Sequence, residues 1–122
     1  MITIANTEQE FDILAASRVI DQITAFPKSV IGLSTGRTTG NMHRIIAERQ
    51  KKEGFDVSET TFFGIDEITN VPREYYGACY TMLKTELIDD MKVKDENFLM
   101  LPVSSDDFDQ SCKDFVDELN SR

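Results

Sequence analysis

Two short stretches of the chain hold the residues that could do chemistry. Ser34-Thr-Gly-Arg-Thr-Thr39 is a small-residue turn rich in hydroxyls, and it follows the apolar run Val30-Ile-Gly-Leu33 directly. Gly36 allows close backbone approach, Thr35, Thr38 and Thr39 supply hydroxyls, and a helix starting there offers free N–H groups to an anion. About one βαβ unit later, Phe62-Phe-Gly-Ile65 runs into the adjacent carboxylates Asp66 and Glu67. A carboxylate at a strand end next to apolar Ile65 and Ile68, both expected to be buried, suits a general base, because desolvation raises its pKa toward the working range. In an open parallel sheet both stretches reach the carboxyl edge of the strands, where such folds bind ligands. An anion cradle beside a base is what proton transfer on a phosphorylated small molecule requires.

Each of these residues also has a plainer reading. The turn is neither a Walker loop, which ends in Gly-Lys-Ser/Thr, nor a Gly-x-Gly-x-x-Gly dinucleotide turn. It reads equally as a βα turn with a Thr N-cap. Asp66 and Glu67 read as solvated acids or as caps for the next segment, and Arg37 as a phosphate ligand, a partner of Asp66 or an exposed turn residue. His43, the only histidine, falls near the start of the Met42–Ile46 stripe and reads as a surface or half-buried helix residue. Tyr75 and Tyr76 read as core and rim aromatics, and Cys79 as an inert buried thiol on an apolar helical face.

These residues need a scaffold, and the rest of the chain supplies one. Thr7-Glu-Gln-Glu10 has the form of a capping box. Behind it Phe11, Leu14, Ala15, Val19 and Ile23 recur at helical spacing until Pro27. Val30–Leu33 is apolar throughout, as a strand covered on both faces should be. A helix follows from about Thr39, with Met42, Ile45 and Ile46 inward, and Gly54 suits its C-terminal end. Thr60–Ile65 reads as the second strand. After the break at Asn70-Val-Pro72, the residues Tyr76, Cys79, Tyr80, Leu83 and Leu87 predict a third helix. Asn97–Leu101 is a third strand stopped by Pro102, and Phe108, Cys112, Phe115 and Leu119 mark a last amphipathic helix. The order α-β-α-β-α-β-α predicts an α/β fold: a short parallel sheet with helices on both faces, in three α/β/α layers.

Composition narrows the function. With 122 residues, 40% hydrophobic and 29% charged, the chain fits one globular domain, 1–122, with no second domain expected. A net charge of −9 argues against nucleic acid, which needs clustered Lys and Arg. It leaves room for one phosphate held by backbone amides. The apolar runs are too short to span a bilayer, and no basic-then-apolar leader opens the chain, so no membrane partner is expected. Cys79 and Cys112 match neither a metal-ligand spacing nor a disulfide framework, which makes a reducing cytoplasm the simplest home.

Taken together, Ile31-Gly-Leu-Ser-Thr-Gly36 with Thr38, Phe62-Phe-Gly-Ile-Asp-Glu67, Pro72, the Tyr75-Tyr76 helix and Asn97-Phe-Leu-Met-Leu101 carry a resemblance. The chain resembles the N-terminal half of the glucosamine-6-phosphate deaminase/isomerase family, which also embraces galactosamine-6-phosphate isomerases and 6-phosphogluconolactonases. The resemblance implies a truncated Rossmann-like sugar-phosphate domain. In it Ser34, Thr35, Gly36, Arg37 and Thr38 surround the phosphate. Asp66 is the base moving a proton between C1 and C2, Glu67 is its neighbour, and neither metal nor other cofactor takes part. This sequence departs from the family at Arg37, where a second Gly is usual, and at Ile68, where an aromatic or basic residue is common.

Family members are roughly twice this length. Their second half carries a Gly-rich strand end, an Asp-Gly-His element, a Glu used in ring opening and basic phosphate ligands, none of which occurs in these 122 residues. The expectation is therefore one wall of an amino-sugar 6-phosphate site, with little or no turnover by this chain alone. Lactone hydrolysis and non-catalytic sugar-phosphate binding are the alternatives. An unpaired edge beside Val30–Leu33 is expected to drive homo-oligomerisation or another association.

Overall fold

The Thr7 side chain starts the first helix. Its hydroxyl accepts from the Glu10 N–H at 3.0 Å, and Glu10 Oε2 accepts from the Asn6 N–H at 2.6 Å. The capping box is thus present, with its return bond displaced one residue outward. In the computed structural model, which describes Met1–Arg122, the helix α1 spans Glu8–Ala25. Its buried stripe is Asp12, Ala16, Ile20 and Ile23. The expected stripe beginning at Phe11 is corrected: Phe11 is 53% exposed, because the helix turns the 12, 16, 20, 23 face inward and leaves Leu14, Ala15 and Val19 on its flanks.

Strand β1 is Val30–Leu33, as expected, and α2 is Arg37–Glu53. Gly54 ends α2 in the left-handed region (φ 69°), its N–H bonded to Gln50 O at 2.8 Å. Strands β2 (Thr61–Gly64) and β3 (Phe98–Leu99) complete a parallel sheet in the order β1-β2-β3. Both are shorter than the apolar runs that encode them. Ile31 pairs with Phe62 and Phe62 with Phe98, so one face of the sheet carries these three side chains in a row.

That face builds the core. Phe62, Leu33 and Phe98 cluster with Ala16, Ile20 and Ile23 of α1, Ile46 and Ala47 of α2, and Leu83, Leu87 and Ile88 farther along the chain. The opposite face carries Val30, Gly32 and Phe63, and Phe63 meets Phe115 edge-on with ring centroids 6.2 Å apart. Phe115 belongs to α4, Phe108–Asn120, which the Asp107 carboxylate caps through the Gln110 N–H at 3.0 Å. The layers are therefore α/β/α, but unequal. Val30 remains exposed, and α4 has no fully buried residue. The expectation that β1 is covered on both faces is corrected: one helix shields the second face where three elements shield the first.

The third helix also differs from its periodicity. It begins at Cys79, not near Tyr76, as α3 (Cys79–Leu83), and continues as a π-helical turn, Lys84–Ile88. Tyr76 lies ahead of it, 80% exposed and packed on Tyr75 at 4.6 Å. The wider π turn keeps Leu87 and Ile88 buried while also turning Glu86 inward.

Candidate functional site: an uncapped helix beside an acid pair

Gly36 precedes α2 with φ 119°, a conformation that side-chain-bearing residues rarely adopt. Neither Thr38 nor Thr39 caps the helix. Thr39 Oγ1 donates instead to Ser34 O at 3.1 Å, closing the turn on itself. The N–H groups of Arg37, Thr38 and Thr39 precede the first intrahelical bond, Gly40 N–H to Gly36 O, and stay free for an anion. The plainer reading of the turn as Thr-capped is thereby set aside.

Asp66 and Glu67 follow β2 beside this turn but have different surroundings. Glu67 Oε1 accepts from the Cys79 N–H at 2.8 Å and the Ile68 N–H at 2.9 Å, while Oε2 accepts from the Tyr80 N–H at 2.9 Å. It is the cap of α3, the helix with no cap of its own. Asp66 is exposed, and so are Ile65 and Ile68, which corrects the expected burial beside it; its one hydrogen-bond contact is the Cys79 thiol, whose Sγ lies 3.9 Å from Oδ1. Of the two acids, Asp66 keeps its lone pairs available for a substrate proton.

Cys79 joins the two motifs. Its Sγ lies 3.4 Å from Thr35 Oγ1, its N–H bonds Glu67, and its thiol faces Asp66. Burial pushes the thiol pKa up, the Asp66 and Glu67 charges add to this, and the Thr35 hydrogen bond opposes it. The thiol is thus held neutral and is a poor nucleophile.

The structure divides the other expected phosphate residues. Thr35 faces Cys79. Arg37 and Thr38 line a cavity of about 650 Å³ against the start of α1. Gly36 and Arg37 border a second cavity, of about 450 Å³, with Arg44 and Glu86. Ser34 is half-buried, and its carbonyl holds Thr39. Neither cavity is lined by Asp66 or Glu67.

One buried pair leaves no sign in the sequence. His43 is fully buried, not at the surface, with Nδ1 3.1 Å from Glu86 Oε2, and its Nε2 has no partner. Helical spacing puts His43 on the inward face with Gly40, Ile46 and Ala47. A lone histidine carries no signal that an acid some forty residues later will turn in to meet it.

These features define an α/β/α unit that presents an uncapped helix N-terminus and a free carboxylate at the carboxyl edge of a parallel sheet. Residues 6–122 match the family described as glucosamine-6-phosphate isomerases/6-phosphogluconolactonase, and the chain belongs to that family. It is 27% identical over 118 residues to a glucosamine-6-phosphate deaminase of Halothermothrix orenii, covering 97% of this chain and 49% of that protein. It superimposes on a monomeric glucosamine-6-phosphate deaminase with a TM-score of 0.90 at 20% identity, over 96% of this chain and 48% of the other. The 6-phosphogluconolactonase of Thermotoga maritima gives a TM-score of 0.77 at 17% identity, over 99% and 53%. The chain spans about half the length of the relatives it matches. No helix is long and apolar enough to cross a membrane.

Proposed function

We propose that this chain supplies the phosphate turn and the base of an amino-sugar 6-phosphate isomerase or deaminase site in carbohydrate metabolism, working in the cytoplasm. The observation that carries the reading is the Thr35–Cys79–Asp66 chain of contacts, which sets the uncapped N-terminus of α2 beside a carboxylate with free lone pairs. The family match and the deaminase relatives support the same chemistry.

In this reading the phosphate rests on the N–H groups of Arg37, Thr38 and Thr39, with the Ser34 and Thr35 hydroxyls beside it, while the Arg37 and Thr38 side chains line the α1-side cavity. Asp66 takes the proton from C2 of the ring-opened sugar and returns it at C1, and the electron pair moves through an enediol or enolamine between the two steps. Glu67 acts by holding α3, and with it Cys79, against Asp66. No step requires a metal or cofactor. The test is an assay of glucosamine 6-phosphate conversion by the purified chain, alongside calorimetric binding. Binding with little or no turnover is expected. Absence of binding sinks the reading, and hydrolysis of 6-phosphogluconolactone without amino-sugar chemistry would move the function to the lactonase branch.

Association belongs to the same proposal. β1 has a neighbour on one side only, and Val30 is exposed on the thinly covered face. Light scattering at rising concentration should show self-association, and a strictly monomeric species contradicts it.

A further inference from the structure

We propose that a second small-ligand subsite lies on the α1 side of the turn, where Asp12 takes the ammonium group of a small anionic molecule. Asp12 is 9% exposed, on the buried stripe of α1, and has neither a hydrogen bond nor an ion pair. The one side-chain atom both sealed from solvent and unpartnered is His43 Nε2, so the Asp12 oxygens are unpartnered yet open. What they open onto is the 650 Å³ cavity, within the size range of small-molecule sites. Through that opening water or a ligand solvates this carboxylate, and a ligand ammonium there gains a charge-assisted hydrogen bond.

The rest of the lining defines that ligand. Asn6 and Asn41 offer amides, Thr38 a hydroxyl, and the half-exposed Phe11 ring an apolar wall. Arg37 lines the cavity from the first position of α2, and its guanidinium makes that end favour an anion. Asp12, with Glu8 at the rim, favours a cation at the other. A lone cation would meet Arg37, and a simple anion would meet Asp12 and Glu8. A molecule carrying both an ammonium and a phosphate or carboxylate satisfies both ends. Asp66 takes no part in this cavity.

The subsite rests on the sugar-phosphate reading only in the choice of probes. Glucosamine 6-phosphate and glucose 6-phosphate differ at C2, ammonium against hydroxyl. Calorimetry on the full chain should show glucosamine 6-phosphate binding about tenfold or more tightly, the worth of a charge-assisted hydrogen bond. The near-isosteric Asp12→Asn should bring the two affinities together, with the fold checked by circular dichroism. Arg37→Gln should weaken both probes alike. If Asp12→Asn keeps the preference while Asp66→Asn abolishes it, the subsite is overturned and the sugar-phosphate reading stands. If Asp12→Asn weakens both probes equally, Asp12 only balances the α2 N-terminus and the subsite is again overturned. Binding of neither probe overturns both.

Discussion

Thr35 Oγ1 and Cys79 Sγ lie 3.4 Å apart across the gap between the end of β1 and the start of α3. This contact turns two motifs separated by a whole helix and strand into one arrangement, because the same cysteine reaches Asp66 through its thiol and Glu67 through its N–H. The bond to Thr35 favours the thiolate, but burial and two carboxylates outweigh it.

The thiol itself can be titrated. A pKa raised on folding keeps Cys79 protonated at pH values where the unfolded chain would ionise. Its contribution to stability is complete below the unfolded value and is lost as pH rises through the folded one. Alkylation by iodoacetamide should therefore modify exposed Cys112 first. Cys79 should react with a rate midpoint above the ordinary thiol value of about 8.5. Cys79 reacting as fast as Cys112 at neutral pH contradicts the assignment.

Glu67 should matter for the fold more than its partner does. Glu67→Ala leaves the N–H groups of Cys79 and Tyr80 without their acceptor and removes a negative charge from the start of α3. A loss of about 1–3 kcal/mol is expected, read as a drop in urea midpoint. Asp66→Asn, at an exposed side chain with a single distant polar neighbour, should stay within about 0.5 kcal/mol of wild type. Equal losses at the two positions contradict the division of roles.

The His43–Glu86 pair ties α2 to the π turn from inside. His43→Leu alone strands a carboxylate that is nine-tenths buried, with only Arg44 nearby at 3.8 Å. That should cost about 3–5 kcal/mol, whereas the double change His43→Leu with Glu86→Leu should recover most of it. Additive losses in a double-mutant cycle would show that the pair is not coupled.

Much of this arrangement is legible in the sequence, and the gaps have physical causes. Apolar runs and small-residue turns report local backbone preference, so β1, the start of α1 and the exit of α2 at Gly54 read directly. Partners far along the chain leave no local trace. Glu67 reads as a candidate cap for the next segment, but nothing around it announces which N–H groups twelve and thirteen residues on it takes, and nothing around His43 announces Glu86. The third helix misleads for a related reason: Tyr76 falls in phase with Tyr80 and Leu83, yet the helix forms only where Glu67 can receive its N–H groups. Asp12 was within reach, since stepping back four residues from Ile20 and then Ala16 lands on an acid in the middle of a buried stripe.

Everything proposed for the site turns on the α2 N-terminus holding a sugar phosphate. Gly36→Ala tests it with little else disturbed: a Cβ there meets nothing within 4 Å, so the change acts through the backbone at φ 119°. Holding an L-residue at φ 119°, ψ −173°, a region all but restricted to glycine, costs roughly 1–3 kcal/mol, and relaxing the turn re-aims the free N–H groups. Calorimetric titration with glucosamine 6-phosphate should show saturable binding to the wild-type chain and a tenfold or greater loss in Gly36→Ala. Wild-type affinity in the variant, with its fold intact, would place the phosphate elsewhere and contradict the account.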